Sequence, residues 1–207
     1  LVVLLIHIVT LTGCACSSSD KKWSDGGDNP KGSIVVKEYI QLADPYILYH
    51  EGTYYAYGTS SDNGFEVYYS TELGNWRKHT SWLLRKEDSY ADRWFWAPEV
   101  YYNSTNNTFY LYYSADEHIC VAISDSPLGP FKQQEKKPMR TEKSIDSSLF
   151  IDDDGTPYLF FVRFGNGNVI WGAELEPDLM TIKENTITKC FEVSQPWESS
   201  MGRVVEG

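Results

Sequence analysis

The sequence predicts an all-β protein with the repeat pattern of a β-propeller, and three observations support this class. After residue 34, short runs of Tyr, Phe, Val and Ile alternate with turns rich in Gly, Asp, Asn and Pro, a pattern typical of short strands. No long stretch of this region has the 3.6-residue hydrophobic period of a helix. One four-strand motif recurs three times at intervals of about 50 residues, which is the length of a propeller blade.

The three repeats begin at Asp44, Ala97 and Asp146, and each contains the same elements in the same order. An apolar strand leads through a polar turn (HEG, NSTNN or DDDG) into an aromatic strand (TYYAYGT, TFYLYYS or TPYLFFV). A third strand follows (FEVYYS, ICVAIS or VIWGAEL), and then a short fourth run (NWRKH, GPFKQ or MTIKE). A β-sandwich also has short strands, but it does not require one motif in tandem, so the propeller is favoured.

The number of repeats predicts an incomplete propeller. Closed propellers typically have four to eight blades, whereas this sequence contains three repeats. An open blade edge exposes unpaired backbone groups and an apolar face, so further blades are expected to complete such a domain. We therefore predict that residues 34–207 form about three blades of a propeller domain, with a further first strand beginning at Val204.

The first segment is predicted to be an export signal and not part of the fold. Residues 1–11 are mostly apolar; they are too short for a membrane-spanning helix of about 20 residues, but they have the length of a signal-peptide core. The LTGC sequence that ends at Cys14 resembles a bacterial lipobox, in which the cysteine is lipidated; the alternative is a buried strand with a chance cysteine. The lipobox predicts a partial signal peptide over residues 1–13, a lipidated tether over residues 14–33, and an exported protein anchored to a bacterial membrane by its lipid alone, in the periplasm or at the cell surface.

Composition excludes several classes of protein. The formal net charge is −11, so neither nucleic acid nor an anionic membrane surface would be attracted to the protein. Hydrophobic residues make up 42% of the chain and aromatic residues 15%, which excludes a disordered segment. Cys120 and Cys190 lie in strand-like contexts, and they could either pair after export or stay free. No spacing of Cys and His residues indicates a metal site.

Acids at equivalent positions of the repeats are the first candidate catalytic residues. Asp44 and Asp146 open the first strands of their repeats, and Glu206 has a comparable position if a further repeat begins there. Because the first strand of a propeller blade is the innermost, these acids are expected to share one pocket. Carboxyls held together disfavour joint ionisation, and glycosidic cleavage requires one protonated and one ionised carboxyl. The alternative for each acid alone is a turn or capping role, which we assign to the DDDG run.

Two other residues near the predicted pocket need an interpretation. Trp96 lies just before the first strand of the second repeat and is a candidate platform for a sugar ring, because a flat apolar ring face stacks on carbohydrate. Trp94 is assigned to packing, as are most of the other aromatic residues. Glu99, further along the same strand, is expected to point away from the propeller axis and to have a structural role.

Four ordered motifs resemble glycoside hydrolase family 43, and they are ADPYILYHEGTYYAYGTS, WAPEVYYN with YLYYS, SIDSSLFIDDDGTPYLFF and the terminal VVEG. The similarity covers residues 40–207 and implies a five-bladed propeller that hydrolyses glycosides with inversion at the anomeric carbon. By motif, it implies that Asp44 is the general base that activates water and that Glu206 is the general acid. It also implies that Asp146 tunes the protonation of the acid and orients the sugar, while Trp96 lines the subsite of the cleaved sugar.

The resemblance further implies a substrate of the arabinan, arabinoxylan or xylan type. It implies no required cofactor, although in many members a histidine of the fifth blade supports a central water or calcium ion. Related propellers that process fructose open with an Asn-Asp-Pro motif, whereas Ala43-Asp44-Pro45 follows the arabinosidase and xylosidase pattern. The main alternative is a non-catalytic carbohydrate-binding lipoprotein with the same pocket. A purely structural propeller is disfavoured because the acids lie in register with the repeat.

Overall fold

The computed structural model describes residues 39–200 and 202–206. This part of the chain contains thirteen β-strands and three short 3₁₀ turns, and it has no α-helix. It therefore also has no helix with the length and apolar character needed to cross a membrane. The predicted signal peptide and tether, with Cys14, lie outside the described residues.

The first repeat forms an antiparallel sheet of four strands in spatial order β1-β2-β4-β5. A small two-stranded sheet, β3 with β6, lies beside it. The six strands are β1 (Ala43–His50), β2 (Thr53–Thr59), β3 (Gly64–Phe65), β4 (Tyr68–Ser70), β5 (Arg77–Lys78) and β6 (Leu84–Arg85). The turn between β1 and β2 has positive φ at both Glu51 and Gly52, which is the backbone of the tightest hairpin turns.

The second repeat forms a three-stranded sheet of β7 (Trp96–Asn103), β8 (Thr108–Ala115) and β9 (His118–Ser124). Its predicted fourth run, GPFKQ, is reduced to an isolated bridge between Ile123 and Lys132. The turn between β8 and β9 consists of Asp116 and Glu117, which both have positive φ. The two acids thus form the same kind of tight turn as in the first repeat.

The third repeat forms a sheet in the order β10-β11-β12-β13. Its strands are β10 (Ser144–Ile151), β11 (Pro157–Gly165), β12 (Gly167–Glu174) and β13 (Thr188–Phe191). The prediction that MTIKE supplies the fourth strand is wrong, because Ile182 only bridges Leu175 beyond the end of β12. The backbone of β12 from Ile170 to Gly172 pairs instead with β13.

The core lies between adjacent sheets, as expected for neighbouring blades. A first cluster joins the first and second sheets and includes the fully buried Tyr57, Phe65 and Tyr113. A second cluster joins the second and third sheets through residues such as Tyr112 and Phe161. Alternate residues of β8 therefore face opposite neighbours, since successive side chains of a strand point to opposite faces. This arrangement confirms an all-β protein with about three blades.

The two cysteines of the described region do not pair. Cys120 is buried and Cys190 is exposed, and both are free thiols. Burial raises the pKa of the Cys120 thiol to about 12, so this thiol stays protonated and unreactive near neutral pH. Of the two alternatives left open by the sequence, the structure selects free thiols.

Candidate active site

The opening residue of each blade has the same unusual backbone. Asp44, Ala97 and Asp146 have φ of 47°, 44° and 52°, in the left-handed region. At each of these positions the pairing of the first and second strands shifts register. Such a bulge bends the strand and redirects its side chains, and left-handed non-glycine residues occur often at functional sites. The repeat therefore places one redirected side chain at the start of each innermost strand.

These bulges surround one cavity of about 230 Å³, which we call the acidic pocket. β7 contacts both β1 and β10, so the three first strands lie side by side around it. The residues that line the pocket are Asp44, Pro45, Tyr46, Ala97, Glu99, Asp146 and Ser147. The structure thus brings together Asp44 and Asp146, which are 102 positions apart by their numbers in the chain, as the repeat pattern predicts.

Asp44 is the exposed acid of the acidic pocket. The Thr59 hydroxyl, at the end of β2, donates a hydrogen bond of 2.8 Å to Asp44 Oδ2. A carboxylate that is open to water and held by one donor keeps a free oxygen for a second partner. Asp44 therefore keeps one carboxylate oxygen open to solvent and to a second hydrogen-bond partner.

Asp146 is the more buried acid and has a different electrostatic environment. Burial, followed by the negative charges of Glu206, Asp44 and Glu99, raises the pKa of Asp146 from 3.8 to about 7. Its backbone N–H donates to the Ser114 hydroxyl of the preceding blade at 3.0 Å, which fixes the bulge. Asp44 and Asp146 thus lie in one pocket but differ in burial, and environments that differ in this way separate the roles of paired carboxyls in acid–base chemistry.

Glu99 lies in the acidic pocket, so the prediction that it points away from the axis is wrong. The register shift of β7 falls between Trp96 and Glu99, and strand alternation restarts after a bulge, which turns Glu99 inward. Burial raises the pKa of Glu99, and hydrogen bonds from the Tyr101 and Ser148 hydroxyls oppose this effect. Glu99 is therefore a third acid of the pocket, held by one hydroxyl of its own strand and one hydroxyl of the third blade.

Glu206 reaches the site from the last described segment, residues 202–206. Its charge contributes to the raised pKa of Asp146, so the two carboxyls are within electrostatic range of each other. The side-chain amide of Asn168 donates to Glu206 Oε2. The Asn168 backbone N–H also donates to the Arg203 carbonyl at 2.7 Å. Asn168, which carries no motif or repeat signal in the sequence, thus holds both the acid and its segment. Glu206 is exposed and is not among the residues that line the acidic pocket.

Trp96 is not among the residues that line the acidic pocket. Its half-buried ring packs on a small cluster that includes Val162 and Val205. Its indole also stacks on Trp94, with ring centroids 5.8 Å apart and an angle of 13° between the planes. Arg93 lies over the Trp94 ring at 4.4 Å, a favourable cation–π geometry. The role of Trp96 as a sugar platform stays a prediction.

Ser147 contributes a polar group that is free for a ligand. Ser147 lines the pocket, and its hydroxyl is buried and has no hydrogen-bond partner within the described part of the chain. A buried hydroxyl without a partner costs free energy, so a water molecule or a ligand hydroxyl is the expected partner. Across residues 39–200 and 202–206, no group of three or more His, Cys, Asp or Glu side chains is arranged to hold a metal ion.

Gly167 controls the position of the segment that carries Glu206. It has φ of +102°, and a Cβ atom there would lie 1.9 Å from the Arg203 carbonyl oxygen. We expect Gly167→Ala to push Arg203 and Glu206 away from Asn168 and to lower activity at least tenfold. Gly155→Ala is the matched control, because Gly155 also has a positive φ (+88°) but has open space around it.

The measurement compares kcat and thermal stability of the two variants of the natural full-length protein. Both variants lose the conformational freedom of glycine at a positive φ, so both are expected to lose some stability. Only Gly167→Ala is expected to lose activity at a temperature where it remains folded. Equal activities of the two folded variants would show that the Arg203 segment does not depend on this close contact.

The protein thus belongs to the class of β-propellers in which acidic side chains of successive blades line one pocket. Within this class, the chain belongs to the glycosyl hydrolases family 43, whose model matches residues 37–207. The predicted family and its fold class are thereby confirmed.

Solved structures and curated proteins agree with this membership. The endo-1,4-beta-xylanase of Bacteroides thetaiotaomicron VPI-5482 matches with 51% identity and a TM-score of 0.77, over 81% of this chain and 58% of that chain. A thermostable family-43 glycoside hydrolase matches with 38% identity and a TM-score of 0.68, over 79% of this chain and 57% of that chain. The probable arabinan endo-1,5-alpha-L-arabinosidase B of Aspergillus fumigatus is 28% identical over 179 residues, which is 74% of this chain and 46% of that protein. The chain spans about half the length of the curated relatives that it matches.

Proposed function

We propose that the protein is an inverting glycosidase that cleaves arabinofuranosyl or xylosyl linkages in plant cell-wall polysaccharides. The observation that carries this proposal is one pocket that holds an exposed carboxyl, Asp44, and a half-buried one, Asp146, whose pKa is raised in part by the charge of the nearby Glu206. The unpartnered Ser147 hydroxyl adds a group suited to bind a sugar hydroxyl. Membership of a family of glycoside hydrolases supports the reaction class.

In the proposed reaction, Asp44 accepts a proton from a water molecule as that water attacks the anomeric carbon. The bond from this carbon to the leaving oxygen breaks, and Glu206 donates a proton to that oxygen. Because water enters on the face opposite the leaving group, the configuration inverts in one step. Asp146 tunes the protonation of Glu206 and, together with Ser147, orients the sugar.

The choice of sugar rests on the relatives. Their names include the xylosidase/arabinosidase of Bacteroides ovatus and the arabinoxylan arabinofuranohydrolase of Bacillus subtilis. A beta-D-galactofuranosidase of Aspergillus niger is also similar, at 27% identity. We propose a pentose substrate because the structure with 51% identity is named a xylanase and the first curated relatives are named for arabinan.

The test measures hydrolysis of nitrophenyl α-L-arabinofuranoside and nitrophenyl β-D-xyloside by the natural full-length protein. We expect release of nitrophenol, and proton NMR of the first-formed sugar should show the inverted anomer. Retention of configuration would contradict the mechanism. Saturable binding of arabinan or xylan without any hydrolysis would instead support the non-catalytic carbohydrate-binding protein.

A further inference from the structure

We propose that Thr59 is a positioning residue that aims the Asp44 carboxylate and couples it to the neighbouring blade. The Thr59 hydroxyl donates to Asp44 Oδ2 at 2.8 Å and accepts a hydrogen bond from the Ala97 backbone N–H at 2.9 Å. One hydroxyl thus contacts a carboxylate of the first blade and the bulge of the second. This inference rests on the proposed role of Asp44 as the general base.

The hydrogen bond that Thr59 accepts from Ala97 sets the direction of the hydrogen bond that Thr59 donates to Asp44. A hydroxyl has a single proton, and the Ala97 N–H occupies the acceptor side of the oxygen, which leaves the proton directed at Asp44. Ala97 belongs to the left-handed bulge of β7, whose position is set by the sheet. Asp44 is exposed and would otherwise rotate freely, so the Thr59 bond fixes one carboxylate oxygen and leaves Oδ1 to receive the proton of water.

The other blades show that the fold alone does not require this threonine. In the strand register, the residues equivalent to Thr59 are Ser114 in the second blade and Val162 in the third. Ser114 also accepts from the opening backbone N–H of the next blade, that of Asp146. Val162 is fully buried and packs on a cluster with Val205, so an isosteric apolar residue is accommodated at this register.

The experiment compares Thr59→Val with Thr59→Ser in the natural full-length protein, using an aryl pentoside substrate. We expect Thr59→Val to lower kcat about ten- to a hundredfold with little change in KM, since a hydrogen bond to a charged group is lost. Thr59→Ser keeps the hydroxyl and should restore kcat.

Two controls separate positioning from loss of structure. Thr53→Val makes the same change at the other end of β2, about 20 Å away, and should leave kcat unchanged. In the Asp44→Asn background, Thr59→Val should cause no further loss of kcat, because the two residues act as one unit. Melting temperatures identify any variant that fails to fold, and Thr59→Ala then replaces Thr59→Val.

The outcomes distinguish this inference from the proposed function. If folded Thr59→Val has the same kcat as Thr53→Val, the positioning role is wrong even if Asp44→Asn abolishes turnover. The positioning role would also be wrong if Thr59→Val lowered kcat by the same factor in the natural protein and in the Asp44→Asn background. If Asp44→Asn keeps activity near that of the natural protein, the proposed function is wrong, regardless of the kcat of the Thr59 variants.

Discussion

Asp44→Asn is expected to lower kcat/KM by about two to four orders of magnitude, the usual contribution of a general base. The amide cannot take a proton from water, but it can still accept a hydrogen bond from the Thr59 hydroxyl. Asparagine also tolerates the left-handed backbone at this position, where φ is 47°. The variant is therefore expected to stay folded, and the measurement combines steady-state kinetics with a melting curve.

Two variants serve as comparisons for this result. Asp153→Asn removes the same charge from an exposed hairpin turn and should leave kcat/KM unchanged. Glu206→Gln should also lose activity, but its loss should shrink for aryl glycosides with acidic leaving groups, which need little protonation. The loss in Asp44→Asn should not depend on the leaving group. Near-normal hydrolysis of a polysaccharide by Asp44→Asn would rule out Asp44 as the base.

Asp146→Asn is expected to stabilise the protein at neutral and alkaline pH while it impairs catalysis. The pKa of Asp146 is raised to about 7 in the folded protein, mainly by burial, whereas it is about 3.9 in an unfolded chain. Below about pH 4 the carboxyl is protonated in both states and has no effect on the pH dependence. Between about pH 4 and 7 only the unfolded state is ionised, so stability falls as pH rises. Above about pH 7 the folded protein carries the full cost of a buried charge.

The variant removes this titration. The free energy of unfolding of Asp146→Asn, minus that of the natural protein, should grow from pH 4 to pH 7 and then level off at a few kcal/mol, since each pKa unit corresponds to about 1.36 kcal/mol. Denaturant unfolding at several pH values measures this difference, and Asp153→Asn again controls for loss of a charge. If the difference in the free energy of unfolding does not vary with pH, the surroundings of Asp146 do not raise its pKa. Asparagine is compatible with φ of 52° at this position.

The stability that Asp146→Asn is expected to gain corresponds to the free-energy cost of keeping an ionised Asp146 among other acids. Asp44, Asp146 and Glu99 are three acids around one pocket of about 230 Å³, in a protein with a net charge of −11. A fold selected for stability alone would not gather these acids, because like charges repel and buried charges are poorly solvated. The arrangement is the one expected where stability is given up for chemistry.

Much of the fold could be predicted because β-strands and tight turns are encoded locally. Turns such as Glu51-Gly52 and strands such as β2 and β8 follow from composition and alternation over a few residues. The fourth strand of the third repeat could not be predicted in this way. Ile182 and Thr188 both lie in short apolar or β-branched runs, so local pattern does not distinguish the run that pairs with β12 from the run that bridges Leu175.

The site was predictable only in part, for a related reason. A repeat aligns equivalent residues, so Asp44 and Asp146 could be expected in one pocket before the structure was known. Glu99 was misplaced because a bulge resets the alternation of its strand. Asn168 and Thr59 carry no sequence signal, since an amide or hydroxyl at a strand end is common and its partner is distant in the chain.

By itself, the sequence determined the all-β class, the blade repeat and the family of this protein, together with the acids at the repeat starts. Each of these depends on local pattern or on comparison of one repeat with the next. Only the tertiary structure decided that Glu99 faces the pocket, that the pKa of Asp146 is raised to about 7, and that Thr59 joins Asp44 to the next blade. Burial and contacts between blades arise when distant strands pack together, and no single stretch of sequence contains that information.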